Sequence, residues 1–138
     1  MRYTLMTLIC AGLMVLGGGG SRGEEGDKET TEFFNGKHLD GWEGLTEYWS
    51  VKDGAIVGDT GKGINFNTFL CSKKKYGDFE LSFKVRLAGG KGNSGVQIRS
   101  EVFDMKKYAV KGPQCDIGQQ FWGSLYGEHF GGMMKCSP

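Results

Sequence analysis

Phe79-Glu80-Leu81-Ser82-Phe83-Lys84-Val85-Arg86-Leu87 is the stretch on which the fold turns. Phe79, Leu81, Phe83, Val85 and Leu87 alternate without a break with Glu80, Ser82, Lys84 and Arg86. A period of two marks a strand with one face on a core and the other in water. Ala88-Gly89-Gly90-Lys91-Gly92 ends the run. Residues 94–102 read as the next strand, with Val96, Ile98 and Ser100 on one side and Gln97, Arg99 and Glu101 on the other. A third strand is expected from about Gln114 to Ile117, entered through Gly112-Pro113 because proline suits a strand start. It sets Gln114 and Asp116 opposite Cys115 and Ile117. Gly123-Ser124-Leu125-Tyr126 is the last strand-like piece. Residues 131–138 offer no closing strand, so an incomplete domain is expected.

Upstream, Trp49-Ser50-Val51 and Ala55-Ile56-Val57 flank Lys52-Asp53-Gly54, and Asp-Gly between apolar runs is a strong hairpin signal. Phe33-Phe34-Asn35-Gly36-Lys37 and Leu39-Asp40-Gly41-Trp42 pair aromatics with turns. With 25 glycines against 2 prolines, and no helical stripe outside the N-terminus, the chain is expected to be all-β, a sandwich or barrel of antiparallel strands.

The first 20 residues have a different character. Met1 and Arg2 precede an apolar run over residues 5–16, followed by four glycines. This order reads as an export signal, and the run falls short of the roughly 20 residues a membrane span needs. Residues 1–20 are thus assigned to a signal peptide, 21–32 to a flexible leader and 33–138 to the domain. The expected location is periplasmic or extracellular, with no membrane association after the signal is removed. In an oxidising compartment Cys71, Cys115 and Cys136 allow one disulfide or three thiols, and the spacing does not choose between them.

The 138-residue chain carries 17 basic and 16 acidic side chains, a formal net charge of +1. No strong field draws it to nucleic acid. Walker, dinucleotide, zinc-protease and nucleophile-elbow motifs are absent from the sequence, so no cofactor is expected. No Cys/His spacing suits zinc, and the two histidines, His38 and His129, lie far apart beside turns. The informative feature is the polar row formed by Gln97, Arg99, Glu101, Gln114 and Asp116 on neighbouring strands. Arginine, amides and carboxylates on one sheet face suit a hydroxyl-rich ligand such as a sugar. The plain alternative is a solvated outer face.

Six pieces in sequence order resemble the 3-keto-disaccharide hydrolase domain family. They are Phe34-Asn35-Gly36-Lys37 with Leu39-Asp40-Gly41-Trp42; Trp49-Ser50-Val51-Lys52-Asp53-Gly54-Ala55-Ile56; Asp78-Phe79-Glu80-Leu81; Asn93-Ser94-Gly95-Val96-Gln97-Ile98-Arg99; Gln114-Cys115-Asp116; and Gly123-Ser124-Leu125-Tyr126. The resemblance implies a concanavalin A-like antiparallel β-sandwich, or jelly roll, and an extracytoplasmic hydrolase acting on glycosides oxidised at C3. It carries the family's recurring polar positions onto Asn93, Arg99, Gln114, Asp116 and Tyr126, with Glu101 beside them. Pro113 departs from the aromatic residue that often precedes the glutamine.

On this reading the catalytic candidates are Glu101, Asp116 and Arg99, and the substrate-binding candidates are Asn93, Gln97, Gln114 and Tyr126. A C3 ketone acidifies the C2 proton, so Glu101 or Asp116 would be the base and the other the acid, with Arg99 steadying the enolate. A two-carboxylate glycosidase mechanism draws on the same residues. The rival readings are a lectin-like module that binds carbohydrate without cleaving it, and a truncated remnant.

Overall fold

The computed structural model describes residues 5–15 and 30–137. The strands are β1 (Leu5–Val15), β2 (Thr30–Thr31), β3 (Trp42–Glu43), β4 (Trp49–Lys52), β5 (Ala55–Asp59), β6 (Cys71–Ser72), β7 (Phe79–Leu87), β8 (Ser94–Gln97), β9 (Glu101–Asp104), β10 (Ala109–Ile117), β11 (Leu125–Glu128) and β12 (Gly132–Lys135). Among the described residues two single 3-10 turns, at Ala88–Gly90 and Gln119–Phe121, interrupt them. The protein is an all-β sandwich.

Its first sheet runs β2-β1-β5-β4 with β7 on the other side of β1, its second runs β12-β11-β10-β8 with β9 also on β10, and β3 pairs with β6. Every pairing is antiparallel. The alternation in β7 explains how the sheets meet. Phe83, Val85 and Leu87 pack with Val96 of β8 and Ile117 of β10, while the charged residues between them stay in solvent. Leu87 and Ile117, nearly fully buried, contribute about 1.5–3 kcal/mol each, and the partly buried side chains less, which makes this strip the adhesive between the layers.

Between β4 and β5 the chain turns in two residues, Lys52 pairing with Ala55. Asp53 and Gly54 have φ of 51° and 76°. Positive φ at both positions is the type I′ arrangement whose twist matches the strands. Opposite this turn, Trp49 pairs with Gly58 and lays its ring over the space a side chain there would fill.

Three expectations are revised. Residues 94–102 are two strands, not one, because Arg99 takes a φ of 47° and the Ser100 hydroxyl binds the Ile98 carbonyl, bending the chain between β8 and β9. The third strand begins at Ala109 rather than near Gln114. Pro113 lies inside it, where the partner of β10 changes from β9 to β8, so its missing N–H falls at the changeover. Residues 132–135 do supply a further strand, β12, on β11 after a turn closed by Phe130 N–H donating to the Gly127 carbonyl at 3.1 Å. Residues 5–15 of the apolar run that reads as an export signal form β1, bonded to β5 on one side and β7 on the other. A continuous apolar run suits a central strand as well as a signal core, and periodicity does not separate the two. Residues 1–4 and 16–29, with most of the expected leader, lie outside the described residues; Thr30–Thr31 at its end pair with β1.

Candidate functional site

The side chains of β10 and β11 that face away from the inter-sheet strip open into a cavity of about 1170 Å³. Its floor includes Gln114 and Asp116 from β10 with Tyr126 and Glu128 from β11, and Met133 of β12 continues it. Asn93 and Gly95 bound it at β8, and Tyr48, Trp49 and Asp59 reach it from the first sheet. Residues 60–69 form the remaining wall. That segment is tied down by Phe69 N–H donating to the Tyr108 carbonyl at 3.1 Å and by Asn67 Nδ2 donating to Glu128 Oε1 at 2.8 Å.

Register gives the floor its order. Gln97, Gln114, Tyr126 and Met133 stand in one rank across four strands. Asp116, paired with Gly95, lies to one side of this rank, and Glu128, paired with Gly112, to the other. Four residues of strand and one interstrand step put the Cα atoms of Asp116 and Glu128 about 14 Å apart.

A chain of hydrogen bonds ends on Asp116. The Ser100 hydroxyl shares its one proton between Gln97 Oε1 at 2.8 Å and the Ile98 carbonyl at 2.9 Å, Gln97 Nε2 donates to Gln114 Oε1 at 2.8 Å, and Gln114 Nε2 donates to Asp116 Oδ1 at 2.6 Å. Each amide accepts on its oxygen and donates from its nitrogen, so each link sets the orientation of the next. Gly95 makes room for this, because a Cβ there would overlap Gln114 Cγ and Cδ. Gln114 and Asp116 are 6% and 7% exposed. Buried polar groups on that scale are ordinarily paired, and here the pairing leaves Asp116 Oδ2 as the remaining acceptor of the carboxylate.

Among the described residues two atoms of the wall are unpaired. Trp49 Nε1 and Thr68 Oγ1 are buried without a hydrogen-bond partner. Each costs about 1–3 kcal/mol. The Tyr48 phenol at the rim is pushed up from its ordinary pKa, first by its hydrogen bond with Glu47, then by desolvation and by the charge of that carboxylate. It therefore stays a hydroxyl donor across the physiological range. Among the described residues no three His, Cys, Asp or Glu side chains are grouped to hold a metal ion, and no helix is long and apolar enough to cross a membrane.

The structure gathers Asn93, Gln114, Asp116 and Tyr126 around the cavity. Gln97 stands behind Gln114 and acts on the cavity through it. Arg99 and Glu101 are elsewhere. The bend at Arg99 swings its guanidinium into solvent, where Nη2 meets Asp78 Oδ1 at 2.8 Å, and Glu101 is exposed on β9 opposite Lys111. Strict alternation through residues 94–102 had put both on the cavity face, and the bend breaks that parity. Glu128, 5% exposed and on the cavity wall, had not been singled out. Its signal in the sequence was its spacing of two from Tyr126, which places both on one face of a strand.

Fold and cavity define a β-sandwich domain with a polar cavity. The chain belongs to the 3-keto-alpha-glucoside-1,2-lyase-like domain family, whose model matches residues 29–137. That span contains all the motifs from Phe34 to Tyr126 and extends beyond them at both ends. Membership brings carbohydrate-directed, glycosidase-like chemistry in general, and the family's description specifies a lyase. Comparison with curated proteins and with solved structures finds no match to the chain.

Proposed function

We propose that this protein is an exported domain that cleaves 3-keto-glycosides by elimination, with Asp116 as the base. The observation that carries the reading is the relay from Ser100 through Gln97 and Gln114, which holds one oxygen of a buried, cavity-facing carboxylate and leaves the other for a substrate. Asp116 takes the C2 proton, which the adjacent ketone has acidified, and the electron pair passes into the C3 carbonyl as an enolate. The enolate then collapses to a C1–C2 double bond while the C1–O bond breaks. Its pair leaves on the glycosidic oxygen, which takes the proton back from Asp116. The products are an unsaturated 3-keto sugar and a free alcohol, and net hydrolysis requires only later addition of water.

Tyr126 and Asn93 supply O–H and N–H donors beside Asp116 for the enolate oxygen and ring hydroxyls. Arg99, engaged with Asp78 outside the cavity, is not assigned to that task, nor is Glu101 to acid–base work. The spacing of the cavity carboxylates also favours elimination. For Asp116 and Glu128, a retaining glycosidase's separation of about 5–5.5 Å is closer than side chains standing upright on strand positions about 14 Å apart can bring them. Export rests on Met1, Arg2 and the apolar run behind them.

The test is Asp116→Asn assayed on a 3-keto-glucoside, following the near-ultraviolet absorbance of the conjugated product. Turnover is expected to fall by at least 10³-fold while substrate binding persists. Undiminished turnover would remove Asp116 from the chemistry. Binding without turnover in the unaltered protein would favour the lectin-like alternative.

A further inference from the structure

We propose that the cavity selects its ligand by charge, taking glycosides that carry an ammonium group in preference to neutral ones and rejecting those that carry a carboxylate, sulfate or phosphate. The inference rests on the reading of the cavity as a glycoside site and adds to it the charge of the ligand.

Three carboxylates line the cavity, Asp59 from β5, Asp116 from β10 and Glu128 from β11. Each is held by a neutral donor. Gly61 N–H donates to Asp59 Oδ1 at 2.7 Å, Gln114 Nε2 to Asp116 Oδ1 at 2.6 Å, and Asn67 Nδ2 to Glu128 Oε1 at 2.8 Å. An amide dipole fixes a carboxylate without cancelling its charge. Positive charge is sparse around them. Among the described lining residues Lys62 is the one lysine or arginine. Lys107 stands 5.8 Å over the Phe66 ring and does not line the cavity, and Arg99 meets Asp78 outside it. His129 Nε2, 3.6 Å from Glu128 Oε1, adds a charge only when protonated. Three acids against Lys62 leave the lining with a surplus of two negative charges, while the whole chain has a formal net charge of +1. The negative field therefore belongs to the cavity and not to the surface at large.

A second observation turns this field toward a ligand. Asp116 is 7% exposed, and its Oδ2 has no hydrogen-bond partner among the described residues although the side chain lines the cavity. Glu128 is 5% exposed and also on the lining. Carboxylates sunk in a cleft between low-dielectric walls, here including Trp49, Phe69 and Phe121, concentrate their potential in the space between the walls. Their spacing decides what responds to it. Asp116 and Glu128 stand about 14 Å apart at their Cα atoms, too far for one small cation to bridge. Charges spread over the cavity in this way act on the net charge of a ligand large enough to fill it.

The experiment measures binding, so it does not depend on turnover. The unaltered protein is titrated calorimetrically with aminoethyl, propyl and carboxymethyl glucosides, which match in size, differ in charge and lack the C3 ketone that elimination needs. At low ionic strength the aminoethyl glucoside is expected to bind about tenfold or more tightly than the carboxymethyl glucoside, with the propyl glucoside between them. At about 0.5 M salt the ratio should shrink to roughly threefold or less. Glu128→Gln and Asp59→Asn, each removing one charge and keeping the shape, should each lower the low-salt ratio by about threefold. Asp59 is exposed, so its variant carries the test if Glu128→Gln does not fold. Equal affinities, tightest binding of the carboxymethyl glucoside, a ratio that neither variant nor salt moves, or no binding of any of the three overturns the selection by charge. None of these results touches the role of Asp116 in turnover, which is decided separately by Asp116→Asn on a 3-keto-glucoside.

Discussion

Gln114 Nε2 donates to Asp116 Oδ1 over 2.6 Å, two residues apart on the same face of β10, and the space this bond needs is left by Gly95 on the neighbouring strand. Gly95→Ala is therefore expected to disturb the site. The new methyl would overlap Gln114 Cγ and Cδ, and turning that side chain aside would break its bonds to both Asp116 and Gln97. Losing partners for buried polar groups costs about 1–3 kcal/mol each. Activity on a 3-keto-glucoside should fall at least tenfold, and the melting temperature by roughly ten degrees or more. Activity close to that of the unaltered protein would show that the relay does not position Asp116.

The hairpin at Asp53-Gly54 offers a test of the fold remote from the site. Gly54 has a φ of 76° with open space around its Cα, so Gly54→Ala meets no neighbour and suffers only the left-handed backbone penalty, about 1–2 kcal/mol. A melting temperature lowered by a few degrees with unchanged kinetics is the expected pair of results.

Pairing of β1 with β5 and β7 makes the N-terminal segment part of the first sheet. Processing near residue 20 would remove the partner of β7 over residues 79–81 and 83–87, and each backbone hydrogen bond lost is worth about 0.5–1.5 kcal/mol. Residues 21–138 expressed alone are expected to melt at a lower temperature and less cooperatively than the full chain. Identical melts would mean that β1 adds nothing to stability. Mass spectrometry of the exported protein reports independently whether the segment is removed.

Thiol chemistry should separate the cysteines. Burial, and secondarily the charge of Glu43, pushes the Cys71 thiol up to about 11, whereas Cys115 and Cys136 are exposed. The thiolate is the nucleophile, so Cys71 remains the unreactive thiol form until the pH approaches 11. At pH 8, peptide mapping after brief alkylation should find Cys115 and Cys136 modified well ahead of Cys71. Equal labelling would show that the strand carrying Cys71 opens readily.

Local signals carried the parts of the fold that depend on one segment at a time. The period-two pattern of Phe79–Leu87 reads directly as β7, and Asp53-Gly54 reads as the hairpin turn, because side-chain alternation and positive φ are properties of a few consecutive residues. The bend at Arg99 left no such mark. A non-glycine residue at positive φ is uncommon, and here it accompanies the Ser100 hydroxyl bonds to Gln97 and Ile98. That single residue reversed the placement of Arg99 and Glu101.

By itself, then, the sequence determined that the chain is all-β, that Gln114 and Asp116 share a face, and that its motifs align with a family acting on 3-keto sugars. Tertiary structure decided which polar residues meet. Glu128 is joined to Asn67 across 61 residues of chain, and Gln97 to Gln114 across 17. The physical reason is that strand periodicity specifies the direction of a side chain relative to its own strand, whereas a site is made by register between strands and by the loop that closes over them. Those long-range pairings place Asp116 and Glu128 at opposite ends of one cavity.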